Sequence, residues 1–224
     1  MNEKPTVITV YLSKGGVAKS TIVQILALYL TSLGYNVAIL DLDSQGGQSS
    51  IFDLLDDEDR NAETLHMVLL RKLAVAAALR RIDGDAIPTF GGIAPGALYL
   101  IEGGPQTRDA IEKVLSNPYE YHMTIEQIIA RPISELAARV NFVLIDMGPS
   151  DQVTAFAALV ATDYLLIPTT SDLMSVQRVA AVLDEVEVVK EYNPALAVLG
   201  LLPTMTMYYF GGLRVSRNVK RGRN

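Results

Sequence analysis

Short apolar runs alternate with amphipathic stretches along this 224-residue chain. "TVITVYL" (6–12) is β-branched and apolar, the pattern of a strand buried on both faces. It runs into a glycine-containing loop. From Ser20 to Leu33 the apolar positions Ile22, Val23, Leu26, Ala27, Leu30 and Leu33 change to helical spacing, and Gly34 stands where a helix would end. "NVAILDLD" (36–43) reads as a second buried strand finishing in two acids, before the polar turn "SQGGQSS". After an acidic connection at 56–63, "TLHMVLLRKLAVAAALRRI" (64–82) predicts one amphipathic helix, and "IPTFGGIAPG" (87–96) a loop. Further strands are predicted in "ALYLIEG" (97–103), "NFVLIDMGPS" (141–150), "DYLLIPTT" (163–170) and "ALAVLGLLPT" (195–204). Helices are predicted in "TRDAIEKVL", in "TIEQIIARPISELAARV" with a kink near Pro132, in "DQVTAFAALVA" and in "SVQRVAAVLDEVEVVKEY". Short strands joined by helical crossovers imply an α/β fold: a mostly parallel sheet with helices on both faces.

Half of the residues are hydrophobic, enough for the core of one domain, which we place at 1–210. The absence of cysteine excludes disulfide frameworks, thiolate metal sites and cysteine nucleophiles. The N-terminus has no signal-peptide pattern and no window approaches a membrane span, so the expectation is a soluble, cytoplasmic protein. The net charge of −6 is unevenly spread: the basic tail at 211–224 holds Arg214, Arg217, Lys220, Arg221 and Arg223 and no acid. An acidic body with a basic end suggests contact with a polyanion such as DNA.

Candidate chemistry gathers where three strands end. "SKGGVAKST" (13–21) approximates the phosphate-binding loop G-x-x-x-x-G-K-[ST], with Lys19 and Ser20 closing it and Ala18 at the glycine position. Successive N–H groups leading into a helix N-terminus bind phosphate through backbone donors and the helix dipole. Lys19 would contact the β- and γ-phosphates and the Ser20 hydroxyl would ligate Mg²⁺. Asp41, Asp43 and Asp146, at neighbouring strand ends, suit a cation that keeps several waters.

These motifs, "KGGVAKST", "AILDLDSQGG" and "FVLIDMGPS", with "DYLLIPTTSD" after them, resemble the ParA/MinD family of deviant Walker A P-loop ATPases over residues 6 to 204. The resemblance implies that Lys14 is the signature lysine, reaching in trans to a partner's phosphates in an ATP-sandwiching homodimer. It also implies that Gly15, Gly16 and Val17 supply loop backbone, that Thr21 lies near the α-phosphate and that Asp43 positions the attacking water. Asp41 is then a supporting acid near the metal and Asp146 the Walker B acid. The implied protein is a slow, partner-stimulated ATPase that uses ATP and Mg²⁺. It binds DNA without sequence preference and works with a ParB-like adaptor in plasmid or chromosome partition, at the nucleoid. Two alternatives are a catalytically impaired relative that binds nucleotide or regulates, and a MinD-like positioning ATPase; the tail lacks the apolar stripe of a membrane-targeting helix. Three residues depart from the family pattern: Ala18 and Ser44 replace a glycine and a proline, and "DMGPS" replaces D-x-P-P.

Overall fold

A computed structural model describes residues 4–44, 48, 65–82, 87–89, 92–149, 152–209 and 212–214. Strand β1 (Thr6–Val10) leads through the glycine loop into helix α1 (Lys19–Ser32), and β2 (Val37–Asp41) follows. Then come α2 (Leu65–Leu69), α3 (Val75–Ala78), β3 (Arg80–Arg81) and β4 (Leu98–Ile101). Helices α4 (Gln106–Ser116), α5 (Pro118–Tyr121) and α6 (Ile125–Glu135) precede β5 (Phe142–Asp146). Helix α7 (Gln152–Val160), β6 (Tyr164–Thr169), α8 (Leu173–Val189) and β7 (Ala197–Pro203) complete the repeating part. A short antiparallel hairpin of β8 (Met207–Tyr209) and β9 (Gly212–Arg214) lies beyond it.

The strand order is β3-β4-β2-β5-β1-β6-β7, parallel throughout except for the short edge strand β3 against β4. The expected α/β architecture is therefore present. Alternate residues of one strand enter opposite cores: Ala38 and Leu40 one cluster, Val37 and Ile39 the other. Helices α2, α4, α6, α7 and α8 cover the first face, and α1 covers the second. Strand β7 differs from the rest, for Val198, Leu199, Leu201 and Leu202 along it are all exposed. Among the described residues no helix is long and apolar enough to cross a membrane.

Two expectations need correction. The single helix over 64–82 is instead α2, a turn, α3 and β3. Arg71 takes a left-handed conformation, φ 58, and its guanidinium donates to Tyr121 O at 3.2 Å. Arg131 Nη2 donates to Val68 O at 2.7 Å, occupying a carbonyl at the end of α2. These contacts hold a reversal that a continuous apolar spacing conceals. The second concerns the helix predicted over 124–140: α6 runs through Pro132 and ends at Glu135, short of Val140. At the start of the basic tail, Gly212–Arg214 forms β9 of the terminal hairpin.

Candidate nucleotide-binding site

Strands β2, β5 and β1 are consecutive neighbours, so their carboxyl ends bring three sequence motifs to one edge. Asp41 and Asp146 are register partners on β2 and β5. Crevices at such strand ends are where open parallel sheets hold ligands.

The loop after β1 has the backbone of a phosphate cradle. Gly16 has φ +71, and Ala18, the N-cap of α1, has φ 65 and ψ 29, also left-handed. Ala18 therefore adopts the conformation that glycine allows freely, and its methyl group carries the strain. Its side chain supplies no cap to α1, leaving the first helical N–H groups for another acceptor. The left-handed strain amounts to about 1–2 kcal/mol for an L-residue, against which glycine's greater freedom when unfolded counts about 0.4–1 kcal/mol. Ala18→Gly is therefore expected to stabilise the protein, raising its melting temperature by roughly 2 °C for a chain of this size. A lower urea midpoint for that variant would show that Ala18 is not strained.

Lys19 is only 7% exposed, and its ammonium donates to Lys14 O at 2.7 Å. Burial lowers its pKa, while the charges of Asp146 and Asp43 oppose that shift. Asp41 and Asp146 are wholly buried. Burial and then the neighbouring Asp146 push the Asp41 carboxyl up to about 8, against backbone donors from Gln48 and Asp43. Burial likewise raises Asp146, although Ser20 and Gln48 hydrogen bonds favour its charged form. Two adjoining buried acids resist joint ionisation until a cation joins them.

The oxygen donors present fit a hard divalent ion. Among the described residues Asp146 Oδ1 is buried with no hydrogen-bond partner, on a carboxyl group that lies near the Ser20 hydroxyl and across the register from Asp41. An orphaned carboxylate oxygen in that position suits the water shell that Mg²⁺ retains.

Gly15, Gly16, Val17, Ala18, Lys19, Ser20 and Thr21 form the loop and first turn, with Val17 buried and Thr21 exposed. Asp43 lies against the turn after β5, where a Cβ placed on Gly148 would come within 3.1 Å of its Oδ1. The absence of a side chain at Gly148 thus makes room for that carboxylate.

Lys14 is placed apart. Its ammonium donates to Asp172 Oδ2 at 2.7 Å, to Ser175 Oγ at 2.8 Å and to Thr170 Oγ1 at 3.3 Å, all in its own chain. Asp172 is the N-cap of α8, its Oδ1 accepting from Ser175 N at 3.0 Å. Lys14 first, then Thr170, holds the Asp172 carboxyl below the usual carboxylate range. Arg214 falls within β9, while Arg217, Lys220, Arg221 and Arg223 lie outside the described residues.

Sequence reasoning missed two residues here. Asp172 was accessible in principle, because S-D-x-x-S after a strand is a helix-cap pattern. Gln48 carried no such signal: it belongs to the polar run "SQGGQSS", yet is fully buried between the acids.

Comparison with known proteins agrees with this geometry. A family model described as an AAA domain matches residues 5–198. An uncharacterized protein of Methanocaldococcus jannaschii, MJECL24, is 32% identical over 88% of this chain and 71% of its own length. The chromosome partitioning protein ParA of Caulobacter vibrioides is 27% identical, covering 89% of this chain and 69% of that protein. Of three further relatives the chain spans 44%, 57% and 48% of the length, about half. Among solved structures, cobyrinic acid a,c-diamide synthase of Mycobacterium smegmatis, with bound ATP analog and magnesium, superposes with a TM-score of 0.74. It is 28% identical, over 89% of this chain and 72% of that one. The phosphate-loop motif, the strand order and these relatives together place the chain in the ParA/MinD family of P-loop ATPases.

Proposed function

We propose that this protein is a ParA-like ATPase that binds ATP with Mg²⁺, dimerises on it and binds DNA without sequence preference. Its role would be partition or positioning of a DNA or other cargo, with a ParB-like adaptor stimulating hydrolysis and the dimer associating with the nucleoid. The observation that carries the reading is the meeting of the loop, Lys19 and three acids at the ends of β1, β2 and β5.

The roles follow from the chemistry of the groups. The loop N–H groups and the start of α1 orient the phosphates, and Lys19 offsets their charge from a buried position. Ser20 and Asp146, with Asp41 behind them, would hold Mg²⁺ and its waters, and Asp43 would orient the attacking water. Bound Mg²⁺ supplies charge neutralisation on the phosphate oxygens. Lys14 would be the group delivered to a partner's phosphates, which requires it to leave Asp172. The five cations from Arg214 to Arg223 are the candidates for DNA contact.

A second reading, a nucleotide-binding relative impaired in hydrolysis, is favoured by one observation, the strained Ala18. Turnover of the natural protein against Ala18→Gly separates the two: the ATPase reading requires measurable, adaptor-responsive hydrolysis without that substitution.

A gel shift with non-specific DNA, with and without ATP across a salt series, tests the main reading. Binding should need ATP, and log affinity should fall with log salt at a slope of roughly −4 per protomer, about twice that for the dimer, if most of the five cations of each protomer engage phosphate. Asp43→Ala should retain ATP-dependent binding and lose turnover. Binding that ignores ATP, or that is absent at low salt, would reject the proposal.

A further inference from the structure

Gln48 is the neutral residue on which both buried acids converge. Its backbone N–H donates to Asp41 Oδ2 at 3.1 Å. Its side-chain Nε2 donates to Asp146 Oδ2 at 2.8 Å and to Ser20 O at 3.0 Å. One residue thus ties β2, β5 and the first turn of α1 together, from a position with no solvent exposure.

The side chain has only one workable orientation. Rotating the amide by half a turn would set its oxygen against two acceptors, Ser20 O and Asp146 Oδ2. Oε1 therefore points elsewhere, and among the described residues it is buried with no hydrogen-bond partner, as is Asp146 Oδ1. A buried acceptor without a donor is rare and unfavourable. Two of them on residues joined by a hydrogen bond mark a place short of donors. The hydration shell of a divalent cation is a compact set of donors carrying positive charge, and groups around a metal site characteristically orient its ligands in this way.

We propose that Gln48 is a positioning residue for the divalent cation. Its Nε2 fixes the rotation of Asp146 so that Oδ1 faces the cation's shell, and its own Oε1 accepts from a cation-bound water. This assignment rests on the metal–nucleotide reading above. The amide suits the task because it donates at one end and accepts at the other without adding a third negative charge between Asp41 and Asp146.

The test is a Mg²⁺ titration of the binding of a fluorescent ATP analogue to the full chain, alongside its affinity in EDTA. Gln48→Met keeps length and volume and removes both polar functions. It should raise the Mg²⁺ concentration for half-saturation by about 10- to 100-fold, the usual effect of removing a ligand-orienting group. Metal-free affinity should stay within about twofold, since Gln48 reaches the acids and the Ser20 carbonyl but none of the phosphate loop's amide donors. Gln48→Glu, which keeps an acceptor but loses the donor to Asp146, provides a second variant if the first does not fold. It should also shift Mg²⁺ dependence and should alter the EPR signal of nucleotide-bound Mn²⁺. A purely structural role predicts a lowered melting temperature with equal losses in both affinities, and that result overturns the assignment. Wild-type Mg²⁺ dependence in a folded variant overturns it as well, leaving the nucleotide reading intact. If the wild-type protein shows no Mg²⁺ effect on nucleotide binding, both fall together.

Discussion

Lys19→Ala is expected to lower ATP affinity by about 100-fold or more while the fold survives. Truncating one side of a buried, charge-assisted contact typically loses about 2–5 kcal/mol of binding. Lys19 is such a group: it is nearly buried, it sits at the N-terminus of α1, and its ammonium lies beside Asp43 and Asp146. Its ammonium donates to the Lys14 carbonyl, which is part of the loop itself. Its loss therefore removes from the cradle the cation that offsets the charge of an incoming triphosphate. Isothermal titration with ATP, and a thermal melt to confirm folding, checks this. Affinity within about threefold of wild type would mean that phosphate is not bound where the loop places it.

Gly103→Ala should act on the fold itself. A Cβ at Gly103 would lie 2.0 Å from Asp41 O and 2.9 Å from Asp41 C, atoms of the β2 backbone that cannot rotate aside. The backbone φ at Gly103 is not in the left-handed region, so the effect is one of contact alone. Overpacking against main chain exceeds the usual 1–3 kcal/mol of a crowded core, and we expect a loss of at least about 3 kcal/mol. For a chain of this size that corresponds to roughly 6–12 °C in melting temperature. Gly16→Ala provides the contrast. It has φ +71 and open space around a built Cβ, so only conformational strain of about 1–2 kcal/mol applies. A melting temperature for Gly103→Ala equal to that of Gly16→Ala would show that β2 and the segment after β4 are not so closely packed.

The β-strands were readable because a strand buried on both faces leaves little room for polar residues, as in "AILD" and "FVLID". The loop and the acids were readable because each motif ends such a strand. What could not be read depends on contacts between distant residues. The spacing of Leu65, Val68, Leu69, Val75 and Ala78 satisfies a helix even though Arg71 breaks it, because Tyr121 and Arg131, which fix the turn, lie far along the chain. Strand β3 is two arginines, Arg80 and Arg81, and Arg80 pairs with buried Glu102 at 3.6 Å. Nothing in a two-residue basic run announces a strand. The site showed the same division. Motifs located Lys14 on the loop, but the direction of its long side chain was settled by α8.

That direction bears on how readily the protein can change state. An ammonium has three donors, and those of Lys14 face acceptors on Asp172, Ser175 and Thr170. Any rival set of anions must therefore compete for the whole hand at once. Asp172, however, retains Ser175 N and the Thr170 hydroxyl when the lysine departs, so the start of α8 does not unravel. The catch is also open to solvent, with the side chains 26% and 46% exposed, so water and salt weaken it. Holding and release thus differ by an exchange of partners with little else disturbed. A contact of that kind relaxes quickly in both directions, without refolding.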